Sequence, residues 1–123
     1  MAKIISLQSF TDTRGNLTVV DNVLPFDIKR VFYIYGVDDS QRGKHRHKKT
    51  IQAAVCIQGS CRIINQSSEE EEVINFILDS PSKCLILEPF DYHIMDQFSP
   101  DAILMVFASE SYDAHDYIYE PYK

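Results

Sequence analysis

Helical patterning is almost missing from this sequence: hardly any segment of its 123 residues places apolar side chains three and four apart. Nor is there an apolar run long enough to span a bilayer. Cysteine is scarce and unpaired. Cys56, Cys61 and Cys84 are odd in number, without short paired spacing, and each falls in an apolar strand-like run, so they read as reduced, buried thiols rather than disulfides, zinc ligands or nucleophiles. Basic charge is short as well: 12 Lys and Arg against 18 Asp and Glu leave a net charge of −6, which argues against non-specific nucleic-acid binding. Any anionic ligand must therefore be held by a local cluster. Internal repeats and low-complexity linkers are absent, and Met1 to Leu7 has no long apolar region of a signal peptide. The expectation is one cytoplasmic domain over residues 1–123, with no membrane and no nucleic-acid partner.

What is present is strand. Lys3 to Leu7 alternates weakly, Asp12 to Asn16 is a turn signal, and Leu17 to Val20 reads as a short strand. Arg30 to Tyr35 is rich in aromatic and β-branched residues, with Tyr33 and Tyr35 on one face and Phe32 and Ile34 on the other. Ile51 to Ile57, Gly59-Ser60 and Cys61 to Asn65 predict a hairpin. Val73 to Leu78, Cys84 to Leu87, Tyr92 to Met95 and Ala102 to Ala108 are further strands, and the acidic run Glu69 to Glu72 is a solvated loop tip. Asp113 to Tyr122 closes the chain as a helical turn or a last short strand. The fold class is all-β, a small sandwich or barrel.

The chemistry concentrates in Arg42-Gly43-Lys44-His45-Arg46-His47-Lys48-Lys49. On a strand, His45 and His47 share one face while Lys44, Arg46 and Lys48 take the other. Side chains two apart on a strand are roughly 6.5–7 Å apart at the backbone, so two inward rings reach neighbouring atoms of one small ligand. Histidine titrates near neutrality, as acid/base chemistry at carbon requires. A guanidinium at Arg42 suits an anionic oxygen pair, and Lys49 shares the histidine face if the strand stays regular. Gln52 lies at an odd spacing from His47, so a bulge is expected before it.

His45-x-His47, four residues, Gln52, six residues and Gly59 resemble the first cupin motif, with glutamine where most metal cupins have glutamate. Pro89-Phe90-Asp91-Tyr92-His93 with Gln97 resembles a compressed second motif. More narrowly, Arg42-Gly43-x-His45-x-His47-Lys48-Lys49, Arg30 to Ile34, Tyr92-His93-x-Met95, Ser99 to Leu104 and Ser111 to Ile118 are similar to the cupin-type sugar 3,4-ketoisomerase family (WxcM/FdtA-like) over nearly the whole chain. The resemblance implies a jelly-roll barrel. It implies an isomerase that moves the keto group of a dTDP-linked 4-keto-6-deoxyhexose from carbon 4 to carbon 3, for deoxyamino sugars of surface polysaccharide. It implies His45 and His47 as the acid/base pair, with Tyr33 as hydroxyl partner or relay and Tyr35 as its alternative. Substrate contacts fall to Arg42, Lys49, Gln52 and His93, with no cofactor and no metal. Arg46 fills a position that is usually small in the family.

Two other readings compete. In one, His45, His47 and His93 bind a divalent metal with Gln52 as a poor fourth ligand, a neutral amide standing where the ion would want charge. In the other, the domain binds a sugar nucleotide without turnover. A homodimer is expected in every case, because pairing through edge strands removes an open sheet edge.

Overall fold

The computed structural model describes residues 1–123. In chain order the strands are β1 (Lys3–Ser6), β2 (Ser9–Asp12), β3 (Gly15–Thr18), β4 (Arg30–Tyr35), β5 (Arg42–His47), β6 (Gln52–Gln58), β7 (Cys61–Gln66), β8 (Ile74–Leu78), β9 (Lys83–Leu87), β10 (Tyr92–Asp96) and β11 (Ile103–Ala108). A 3-10 turn, Ala114–Asp116, then leads into β12 (Tyr117–Ile118), so the closing segment is both a turn of helix and a strand. Two five-stranded antiparallel sheets, ordered β1-β9-β6-β11-β4 and β12-β5-β10-β7-β8, face each other as a jelly roll, and β2-β3 forms a separate hairpin.

Alternation decides what lies between the sheets. Ala54, Cys56, Leu85, Leu87, Leu104 and Val106 from the first sheet meet Cys61, Ile63, Leu78 and Met95 from the second. Ala54 and Cys56, Leu85 and Leu87, Leu104 and Val106, and Cys61 and Ile63 are each two apart on one strand, the spacing that puts side chains on one face. The first sheet is also apolar outside: Ala53, Val55, Cys84 and Ile86 are buried under Leu7, with Val20, Leu24 and Phe26 packed against them. β6 and β9 are therefore buried on both faces and read as continuous apolar runs. All three cysteines are free and buried, as expected.

The hairpin expected around Gly59 is corrected. β6 pairs with β9 and β11, while β7 pairs with β10 and β8, so Gly59-Ser60 carries the chain from one sheet to the other. Both strands point buried residues into the same interior, which facing sheets allow and a flat hairpin does not. Gly59 has φ +69°, and an added Cβ would lie 2.9 Å from Ala102 Cα. A second crossing, Lys48 to Ile51, separates β5 from β6. It replaces the bulge expected before Gln52, since Gln52 faces inward from the opposite sheet.

Candidate active site

The centre of the site is the β5–β10 ladder. His45 stands directly across from His93, yet the next paired residues are Ile94 and Gly43, so Lys44 has no partner. This is a β-bulge, with Gly43 at φ +83° and Lys44 at φ +60°. It has two consequences. Gly43 runs so close to β10 that an added Cβ would lie 2.9 Å from the His93 carbonyl oxygen and 3.3 Å from its ring. The extra residue also brings Arg42 to the same side as His45, although their odd spacing would separate them on a regular strand.

Arg42, Gly43, His45, His93 and Met95, with Tyr117 of β12 on the same sheet, line one wall of a cavity of about 180 Å³, faced by Phe32 and Ile34 of β4 and Gln52 of β6. The imidazole centroids of His45 lie 4.9 Å from that of His47 and 4.7 Å from that of His93. The Tyr117 ring centroid lies 4.7 Å from that of His45, tilted to it, and 4.5 Å from that of His47, edge-on.

Each imidazole has its tautomer set from behind. His45 Nδ1 lies 3.0 Å from the Gly43 carbonyl and His93 Nδ1 3.1 Å from the Asp91 carbonyl. His47 Nδ1 lies 2.9 Å from Asp116 Oδ2. Carbonyls and carboxylates only accept, so in all three rings Nδ1–H donates and Nε2 keeps its lone pair. His47 and His93 Nε2 are buried without a protein partner, as is Gln52 Oε1. Such a cluster of unpaired acceptors wants a ligand bearing hydroxyl or acidic C–H protons.

Burial dominates the electrostatics and disfavours the imidazolium in every case. His93, 1% exposed, is held down to about 3 by burial and then by His45. Burial lowers His45 below its ordinary value against the help of the Gly43 carbonyl. Burial also lowers His47, opposed by the hydrogen bond and charge of Asp116. For Asp116 burial works toward protonation, but hydrogen bonds from Thr50, the Lys49 N–H and His47 outweigh it and keep the carboxyl ionised. Its Oδ1 accepts from the Lys48 N–H at 3.1 Å and the Lys49 N–H at 2.8 Å, while Oδ2 accepts from Thr50 Oγ1 and His47.

The family model described as FdtA, WxcM-like, C-terminal, matches residues 1–123. The chain belongs to this family. A TDP-4-oxo-6-deoxy-alpha-D-glucose-3,4-oxoisomerase of Aneurinibacillus thermoaerophilus is 41% identical over 119 residues, 94% of this chain and 84% of that protein. Among solved structures, a histidine-to-asparagine variant of the 3,4-ketoisomerase QdtA of Thermoanaerobacterium thermosaccharolyticum, in complex with TDP-4-keto-6-deoxyglucose, superimposes with a TM-score of 0.92 at 37% identity, covering 97% of this chain and 87% of that one. WlaRB, a TDP-quinovose 3,4-ketoisomerase of Campylobacter jejuni, gives a TM-score of 0.90 at 36% identity, covering 97% and 92%.

Within this WxcM-like chain the sequence-predicted residues divide. His45, His47, Gln52, His93 and Arg42 converge on the histidine cluster, His47 lying directly behind the cavity lining. Tyr33 does not. It is 60% exposed on the outer face of β4, stacked on Tyr35 at 5.8 Å, while its neighbours Phe32 and Ile34 enter the cavity. Lys49 does not either: β5 ends at His47, and the Lys49 ammonium lies outside, 3.6 Å from Asp113. Arg46, on the other face of β5, stacks 4.0 Å over the Tyr122 ring. Sequence reasoning missed Asp116 and Tyr117; the Asp-Tyr pair was visible, but nothing in its spacing points 69 residues back to His47.

The three ring nitrogens lie within 4.8 Å of one another. A shared divalent ion bonded at about 2.0–2.1 Å would draw them to roughly 3–3.5 Å apart. With Gln52 neutral where a carboxylate would stand, the set lacks the charge a resident divalent metal would want, and no step is assigned to one.

Proposed function

We propose that this chain is a sugar 3,4-ketoisomerase: it moves the keto group of a dTDP-linked 4-keto-6-deoxyhexose from carbon 4 to carbon 3. The observation that carries the reading is the clustering of the His45, His47 and His93 imidazoles at one small cavity lined by His45 and His93, in a chain whose relatives bear that activity in their names. The carbonyl at carbon 4 acidifies the proton on carbon 3. One imidazole of the His45–His47 pair takes that proton at Nε2, the C–H electrons become a carbon–carbon double bond, and the carbonyl pair moves onto oxygen 4 as an enediolate. The imidazolium just formed steadies the oxyanion in a site shielded by Tyr117. Transfer of the hydroxyl proton from oxygen 3 toward oxygen 4, and return of the abstracted proton from the imidazolium to carbon 4, complete the shift. No oxidant or reductant is consumed.

His93 and Gln52 accept hydrogen bonds from sugar hydroxyls, and Arg42, exposed at the mouth, binds the diphosphate. The same proposal includes a homodimer, supported by the apolar residues left uncovered outside the first sheet: Val31, Tyr33, Tyr35 and Ile57, with Phe10 and Leu17 on the β2-β3 hairpin. A cytoplasmic location is supported by three free thiols; no helix is long and apolar enough to cross a membrane.

Proton NMR of dTDP-4-keto-6-deoxyglucose with the protein in deuterated water tests the reaction. A 3-keto product, lost in His45→Asn or His47→Asn, is expected, and the coupling at carbon 4 reads its configuration. An unchanged sugar with wild-type protein rejects the proposal. Sedimentation equilibrium at the monomer mass rejects the dimer.

A further inference from the structure

We infer that the β4 and β11 half of the first sheet's outer face receives the β2-β3 hairpin of a second copy of this chain, and that this exchange props the wall of the histidine cavity. The inference rests on the ketoisomerase and dimer readings above and adds to them a docking surface and its effect on the site. The hairpin is built inside out. Phe10 stands directly across from Leu17 on one face, and both are more than half exposed. The other face is polar, with Ser9 Oγ 2.7 Å from Thr18 Oγ1 and Thr11 Oγ1 donating to Asn16 Oδ1 at 2.6 Å. It is this polar face, through Asn16 and Thr18, that borders the groove over the chain's own first sheet. A two-stranded hairpin is marginal in water unless an apolar face is covered, and one copy leaves Phe10 and Leu17 bare.

The complement lies on the same molecule. Across β4, β11 and β6, Tyr33, Met105 and Val55 form one cross-strand row and Val31, Phe107 and Ala53 the next. No charged side chain interrupts either row, which is the composition of an interface centre. The β6 end is covered by the chain's own Leu7, Val20, Leu24 and Phe26, whereas at the β4 end Val31, Tyr33 and Tyr35 are 49%, 60% and 67% exposed. With Ile57 and the two hairpin residues, these side chains expose on the order of 600 Å² per copy, taking about 150–250 Å² for a whole aromatic side chain and less for an aliphatic one. A reciprocal contact therefore buries about 1,200 Å², above the roughly 1,000 Å² that a specific interface needs. A two-fold axis places each hairpin on the other copy's face and closes the assembly. The contact reaches the site through β4. That strand is an edge, bonded only to β11, and its inner residues Phe32 and Ile34 line the cavity while Val31, Tyr33 and Tyr35 point out. A partner hairpin on the outer face holds the strand whose inner face shapes the cavity.

The test uses two full-length variants, Leu17→Glu on the hairpin and Tyr33→Lys on β4, both at exposed positions outside the cavity. In sedimentation the wild type is expected as a dimer and each variant alone as a monomer, its dimer dissociation constant raised about 100-fold or more. Mixed together, the two are expected to recover a heterodimer: one contact is then wild-type, and the other sets the introduced carboxylate against the introduced ammonium. The kcat/KM per chain is expected to fall about tenfold or more in each lone variant and to return in the mixture, which also shows that both variants are folded. A lone variant that still sediments as a dimer overturns the inference. So does a monomeric variant with wild-type kcat/KM. Wild-type protein by itself supplies a check that needs no variant: on dilution through the dissociation constant, turnover per chain should fall with the dimer fraction, and a flat response overturns the inference. A wild-type monomer rejects the dimer reading and this inference with it. Association is measured without substrate, so a dimer that the variants break but that never isomerises the keto sugar rejects the ketoisomerase reading and leaves the docking surface standing.

Discussion

His45 and His93 stand opposite each other across β5 and β10, and the ladder loses register at the next residue because Gly43 and Lys44 form a bulge. The bulge brings the two imidazoles and Arg42 to one cavity, and it depends on a residue without Cβ beside the His93 carbonyl.

Gly43→Ala is accordingly expected to cost about 1–3 kcal/mol, from the left-handed backbone conformation and from the 2.9 Å approach to a backbone oxygen. Chemical denaturation measures the loss. The activity of the folded fraction should fall as well, because the strain falls on His93.

Acid stability should report the buried imidazoles. The unfolded chain protonates a histidine near pH 6.5, whereas the folded protein resists protonating His93 until about pH 3. The unfolded state therefore binds more protons in this window, and stability falls as the pH drops from 6.5 toward 3, by up to about 1.4 kcal/mol per pH unit for such a group. Urea midpoints between pH 7.5 and 5 should decline on the acid side, and His93→Gln should flatten the slope.

Arg42 and Lys49 separate a cavity cation from an outside one. Arg42→Ala should raise KM about 10–100-fold, as loss of a charge-assisted contact worth about 1.5–3 kcal/mol implies. Lys49→Ala should leave KM within about threefold, since its ammonium sits by Asp113. Steady-state kinetics on the two variants checks both.

Activity should survive dialysis against EDTA and should not rise on adding zinc, manganese or iron, because neutral Gln52 stands where a divalent ion would want a carboxylate. Metal content and turnover measured on the same sample decide this.

Much of the site was legible in the chain. His45 and His47 share a face because strand periodicity is a local property, and the residues around His93 completed a recognisable motif. Tyr33 shows where local reasoning ends. Alternation placed it with Tyr35, opposite Phe32 and Ile34, but could not say which face is inside, because the first sheet carries apolar residues on both. Lys49 was misplaced for a related reason: the strand stops at His47, and the chain leaves for the other sheet.

The sequence by itself determined the all-β class, the buried thiols, the run of strands and the two imidazoles on one face, all consequences of side-chain size and period along a few residues. Tertiary structure decided which strands pair, that Gly59 turns between sheets, that a bulge at Gly43-Lys44 brings Arg42 inward, and that Asp116 meets His47. Those outcomes depend on contacts between segments far apart in the chain, where sheet packing and the satisfaction of buried polar groups set the geometry and local spacing carries no trace of it.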